Sequence, residues 1–231
     1  MKRFWKAAEP VEREGGWTVE LDGRPLRTPA KAVLVLTTAA LAESVAKEWF
    51  EAGETVDPRA MPLTGLANAA IDLVAPDPAA FAAGLAKYGE SDLLCYRAEA
   101  PAVLAEREAA AWDPLLSWAR RRFDVDFRVT VGISPVPQPE ATVTRLAHAV
   151  ATLDPFRLAA LSPLVGVGGS LVAAVAVAKG AVSPDQAWQA LTVDERWQAE
   201  QWGADPEAEA VLEGRRREFM AAASFLELLD L

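Results

Sequence analysis

Cysteine and histidine are almost missing from this chain: Cys95 and His148 are the only ones among 231 residues. One thiol excludes an internal disulfide and any cysteine-cluster metal site; it allows a reducing compartment without requiring one. One imidazole excludes histidine metal triads and leaves little for Ser-His-Asp chemistry. Cys95 sits in an apolar run with Asp92 and Arg97 nearby, the setting of a buried structural thiol. His148 lies between Ala147 and Ala149, and nothing marks it as a general base.

Positive charge is also in deficit. Lys and Arg number 23 against 33 Asp and Glu, a net charge of −10. Phosphate neutralisation needs clustered cations, so no nucleic acid partner is expected, nor electrostatic attachment to an anionic membrane. A basic protein partner, or simple solubility, fits better. No apolar run follows the basic residues of MKRFWKAAEPVEREGG, so no signal peptide is expected, and no Arg/Ser-rich transit peptide either. The uncharged stretch from Leu158 to Ala178 is long enough to tempt a transmembrane reading. Pro163, Gly166, Gly168 and Gly169 break it, however, and alanine dominates over leucine. Two short buried elements joined at the glycines are expected, with no membrane insertion.

Gly166-Val167-Gly168-Gly169-Ser170 lacks the Gly-Lys-Ser/Thr ending of a phosphate loop and the G-x-G-x-x-G spacing, and no acid follows at the ribose distance. It reads as a tight turn with close helix packing. Glu207, Glu209 and Glu213 read as a solvated helix face. No catalytic residue, metal ligand set or cofactor site emerges, which makes an enzyme the less favoured class.

What is present is apolar residues in ordered patterns: 52% of the chain is hydrophobic, enough for a sizeable core. Trp17, Val19 and Leu21 alternate with Thr18 and Glu20, a half-buried strand. Asp22-Gly23 offers a type I′ turn into a return strand from Arg24 to Thr28, with Pro25 marking an edge. Val33 to Leu36 reads as another strand; Thr37 or Thr38 then caps a helix from Ala39 to Glu51 carrying Leu41, Val45 and Trp49 on one stripe. Helical spacing takes over from Pro62, and Asp77-Pro78 opens the next helix. Ala105 to Phe123 reads as a helix either interrupted or restarted at Asp113-Pro114. Val125, Phe127, Val129 and Val131 alternate with polar residues, so a strand over 125–131 is expected to join the N-terminal sheet. Pro135, Pro137 and Pro139 make a stiff linker, followed by further helices. Ser183 to Gln186 and Thr192 to Glu195 each fit a capping box. The expected class is α+β: a small β-rich domain over 1–58, then a mainly helical one over 59–231.

One helical stretch does not look built for a core. In VDERWQAEQWG, residues 193–203, Trp197 and Trp202 point roughly 140° apart, with Gln198 and Gln201 between them. Glu195 falls within about 20° of Trp202 on the same wheel. One reading is a helix N-terminus with acids favouring the dipole and amides satisfying local backbone. The other is a polar-aromatic surface for a partner, and eight tryptophans in the chain favour protein binding.

The chain resembles the ATP12 family of F1-ATPase assembly chaperones. The matching residues are Arg3-Phe4-Trp5-Lys6, Leu21-Asp22-Gly23-Arg24-Pro25 with Thr28-Pro29, Glu48-Trp49, Met61-Pro62-Leu63-Thr64 and Ala70-Ile71-Asp72. They continue with Asp92-Leu93-Leu94-Cys95-Tyr96-Arg97, Trp112-Asp113-Pro114-Leu115-Leu116, Gly169-Ser170, Glu195, Gln198 and Trp202-Gly203. The resemblance implies a β-rich N-terminal part before a helical one, and no catalysis. It implies binding of the unassembled F1 α subunit, protecting it from aggregation until it meets β. The chain is expected to act as a monomer in a bacterial cytoplasm, or in the mitochondrial matrix if eukaryotic and trimmed of a presequence. Glu195, Gln198, Gln201 and Trp202 are the expected partner-binding residues. The competing reading is a small-molecule enzyme using carboxylates in an interdomain cleft.

Overall fold

The computed structural model describes residues 2–231. By contact the chain divides into two compact units. The first holds the residues up to Pro78 together with Asp154–Ala160 and Ala221–Leu231; the second holds Ala79–Leu153 and Leu161–Met220. The class is α+β: one small three-stranded sheet near the N-terminus, then mostly helix. The boundary read at 58/59 marks where alternation gives way to helical spacing, whereas these units group residues by proximity.

In the first unit, β1 (Ala8–Arg13), β2 (Gly16–Leu21) and β3 (Arg24–Pro25) form an antiparallel meander. Asp22 and Gly23, at φ 49° and 79°, make the tight turn that their sequence announces. Asp22 also accepts the backbone N–H groups of Lys6 and Ala7, which hold its carboxyl below the usual range. Val33 to Leu36 is not a regular strand. It meets the sheet at one isolated bridge, where Trp17 and Leu36 exchange backbone hydrogen bonds of 2.8 and 2.6 Å.

Helix α1 (Ala39–Glu51) starts at Thr38, whose hydroxyl accepts the Leu41 N–H at 3.2 Å and donates to the Leu228 carbonyl at 2.6 Å. Its buried stripe includes Leu41, Val45 and Trp49. Glu48, on the same helix, caps a neighbour. Helix α2 (Pro62–Ala69) has no capping side chain of its own, and Glu48 accepts its Leu63 and Thr64 N–H groups, both at 2.8 Å. Trp49 donates to the Thr64 hydroxyl at 3.1 Å, and Trp5 donates to the Trp49 carbonyl at 3.0 Å. These contacts explain why indole and carboxylate sit side by side there.

The second unit is built on helix α4 (Ala102–Phe123), which passes through Pro114 without a break. A proline lacks the N–H for one intrahelical bond, and the packing of Trp112, Leu116 and Ala119 carries the helix past that loss. Trp112 donates to the Ala190 carbonyl at 2.7 Å.

The strand expected over 125–131 is corrected. Only Thr130–Val131 is strand (β5), and it pairs in parallel with Tyr96–Arg97 (β4), not with the N-terminal sheet. Val125 and Phe127 are buried but Val129 and Val131 are exposed, and side chains satisfy the backbone around them. Thr142 donates to the Asp126 carbonyl at 2.6 Å, and Gln138 bonds both the N–H and the carbonyl of Arg128. Alternation reported burial for only the first half of the segment, and that half did not need a ladder.

The remaining helices of interest are α5 (Glu140–Ala151), α6 (Pro155–Gly168), α7 (Leu171–Ala178), α8 (Pro184–Leu191), α9 (Val193–Trp202) and α10 (Pro206–Leu228), with α3 (Pro78–Ala86) before α4. The uncharged stretch is α6 and α7 joined at Gly169-Ser170. Among the described residues, no single helix is long and apolar enough to cross a membrane.

Candidate functional site

The turn between α6 and α7 is occupied by the protein itself. Ser170 accepts the Ala173 N–H at 3.0 Å, and Asp92, fully buried, accepts the Val172 N–H at 2.9 Å and the Leu94 N–H at 3.0 Å. The helix N-terminus that a phosphate would need is thus filled by an internal carboxylate. Burial pushes the Asp92 carboxyl up to about 6, against the pull of those donors. A Cβ on Gly168 would stand 2.8 Å from Leu191, so the glycine serves close packing. Cys95 is buried, and desolvation pushes its thiol up to about 12, which leaves it inert.

Helix α9 is different in kind. Val193 is buried, and the rest of the helix is half-buried or exposed. The second capping box does not form. The Thr192 hydroxyl donates instead to the Trp188 carbonyl at 2.8 Å, closing α8, and α9 starts without a side-chain cap. The first box, Ser183 with Gln186, forms as expected.

Other side chains hold α9. Arg215 of α10 reaches Glu195 at 3.1 Å and the Val167 carbonyl at 2.8 Å. Arg107 of α4 stacks on Trp197, 4.7 Å from the ring centre, and bonds Glu200 at 2.6 Å. Trp197 is therefore half-buried under a guanidinium, whereas Trp202 is 79% exposed. A groove of about 500 Å³ runs beside the helix, lined by Leu93, the Gly166–Gly169 turn, Leu191, Asp194, Glu195, Gln198 and Arg215.

The four residues singled out from the sequence thus fall into two pairs. Glu195 and Gln198 share the groove; Gln201 and Trp202 are exposed at the far end of the helix and do not line it. Sequence reasoning missed Arg107 and Arg215, which lie on other helices, and the buried Glu108 of α4, which faces Asp194. A wheel drawn for one helix carries no signal for them.

The buried and half-buried carboxylates elsewhere have structural partners: Glu48 caps α2, Asp92 caps α7, and desolvation raises the Glu48 carboxyl above its usual range. Among the described residues, no group of three or more His, Cys, Asp or Glu is placed to hold a metal ion.

Fold and site together describe an α+β protein that presents a polar, tryptophan-bearing helix beside a groove. The chain belongs to the ATP12 chaperone family: the family profile described as ATP12 chaperone protein matches residues 2–120. The mitochondrial protein atp12 of Schizosaccharomyces pombe is 24% identical over 222 residues, covering 91% of this chain and 76% of that one. The crystal structure of Atp12 from Paracoccus denitrificans is 46% identical and superimposes with a TM-score of 0.93, covering 99% of this chain and 98% of that one. The structure of a putative chaperone from Agrobacterium tumefaciens is 39% identical, with a TM-score of 0.94 over 99% of this chain and 86% of that one. Membership is that of a chaperone family, not an enzyme family, and supports a role in F1-ATPase assembly.

Proposed function

We propose that the protein captures the unassembled α subunit of the F1 sector through α9 and its groove, and keeps it from aggregating until it pairs with β. The observation that carries this reading is Trp202: a large aromatic, 79% exposed, at the end of a helix whose glutamines are exposed too. A subunit waiting for its neighbour exposes partly apolar surface, and such patches aggregate. A protective partner needs an aromatic anchor, polar groups around it and an affinity low enough for release. Glu195, Gln198, Gln201 and Trp202 supply that mixture. The net charge of −10 argues for a protein client over nucleic acid. The protein works as a monomer without cofactor, in a bacterial cytoplasm or, for a eukaryotic form, the mitochondrial matrix.

The test is light scattering by isolated α subunit with and without this protein, in the absence of nucleotide and metal. Suppression is expected for wild type. Glu195→Lys, which sets a second cation against Arg215, should keep its far-ultraviolet circular dichroism and lose most suppression. A folded Glu195→Lys variant that captures α normally would remove α9 from the interface. The enzyme reading predicts instead a metabolite-dependent thermal shift and no suppression.

A further inference from the structure

Glu108 of α4 is 2% exposed. One of its oxygens accepts the Ala98 N–H at 2.7 Å. Its carboxyl group also faces that of Asp194, in the first turn of α9. Asp194 Oδ1 is buried and has no hydrogen-bond donor among the described residues. Two ionised carboxylates here would repel each other out of water and leave that acceptor unsatisfied. A single proton between them removes both costs.

The groups around the pair do not offer a cation to neutralise it. Arg97 of β4 acts on Glu108 from a distance, but its guanidinium is bonded to the Leu94 and Tyr96 carbonyls and to Asp113. Arg107 of α4 is committed to Glu200 and the Trp197 ring. Glu195 adds negative potential at Asp194, and its own partner is Arg215 of α10.

We propose that Glu108 is a positioning residue: it shares a proton with Asp194, donating to the otherwise unpaired Oδ1, and so fixes the first turn of α9 against α4. A separate observation explains why α9 needs such a tie, since Thr192 spends its hydroxyl on α8 and leaves the helix without a side-chain cap. Desolvation is the largest influence on both carboxyl groups and raises both above their usual range; the bond and the Asp194 charge raise Glu108 further. A raised acid holds its proton in the folded state, so the tie is intact at low pH and is lost as pH rises through the folded value. Its bearing on client capture rests on the reading of α9 as the client surface; the tie itself does not.

The experiment compares wild type with Glu108→Gln and Glu108→Ala, each as the isolated full chain, by thermal unfolding between about pH 5 and 9. Glutamine keeps both roles without titrating, donating through its amide to Asp194 and accepting from Ala98. It should match wild type at the acid end and pull ahead as pH rises, whereas alanine should be less stable than glutamine throughout. Carboxyl 13C titration of the wild type should show the pair retaining one proton above the ordinary carboxylate range. Parallel wild-type and glutamine profiles, or two ordinary carboxyl titrations, would overturn the proposal. In the capture assay, wild type should weaken as pH rises through the folded value and Glu108→Gln should not. If the stability profiles separate as expected but capture ignores pH, the shared proton stands and the assignment of α9 as the client surface fails.

Discussion

At Gly16 the backbone has φ +147°, and a Cβ built there would lie 2.4 Å from the Leu36 carbonyl oxygen. Both the backbone conformation and the space exclude a side chain. Gly16→Ala should therefore destabilise the chain by about 2 kcal/mol or more, visible as a lower Tm, because the bridge from Trp17 to Leu36 must open. Asp92 gives a pH-dependent prediction. Its folded value, about 6, lies above the 3.8 of the free group, so its contribution is full below about pH 4. It declines as pH rises through 6. Asp92→Asn should remove that decline from a plot of Tm against pH, at the cost of lower stability overall, since an amide oxygen replaces two acceptors. Asp92 also shows what several family-matching residues do. Asp22, Glu48 and Asp92 each accept backbone N–H groups that the fold would otherwise leave unpaired.

At the scale of elements, most helices are held by apolar stripes, as in α1 with Leu41, Val45 and Trp49. Helix α9 is held instead by two arginines on its neighbours, Arg107 and Arg215. Such an anchorage leaves the outward side of the helix free of core duties. Trp202→Ala should then change Tm little, within about 0.5 kcal/mol of stability, as exposed positions usually do. Its effect on α-subunit affinity should be much larger, about 2 kcal/mol or roughly thirtyfold, as for a buried aromatic anchor in an interface. Equal losses in both measurements would mean that the indole packs at home rather than on the client.

For the whole molecule, the first unit is not a free-standing N-terminal piece. Thr38 donates to the Leu228 carbonyl at 2.6 Å, Phe156 stacks with Phe225 at 6.3 Å, and Arg157 pairs with Asp230. A fragment ending at Pro78 should accordingly show no cooperative unfolding transition by circular dichroism, because chain segments from 154–160 and 221–231 complete that unit. Local sequence determined a good deal of this protein. The I′ turn at Asp22-Gly23, the Thr38 cap, the Ser183 capping box and the stripe of α1 all follow from residues within a few positions of one another. The polar-aromatic character of α9 was legible for the same reason. Tertiary structure alone decided which partner an alternating segment takes, so Thr130–Val131 went to β4 and not to the N-terminal sheet. It also spent the Thr192 hydroxyl on α8, set Arg107 and Arg215 against α9, and brought Glu108 to Asp194. Each of those pairings joins residues whose meeting depends on how helices cross, and a hydrogen-bonding group satisfied from a distant element leaves no periodic mark in its own sequence.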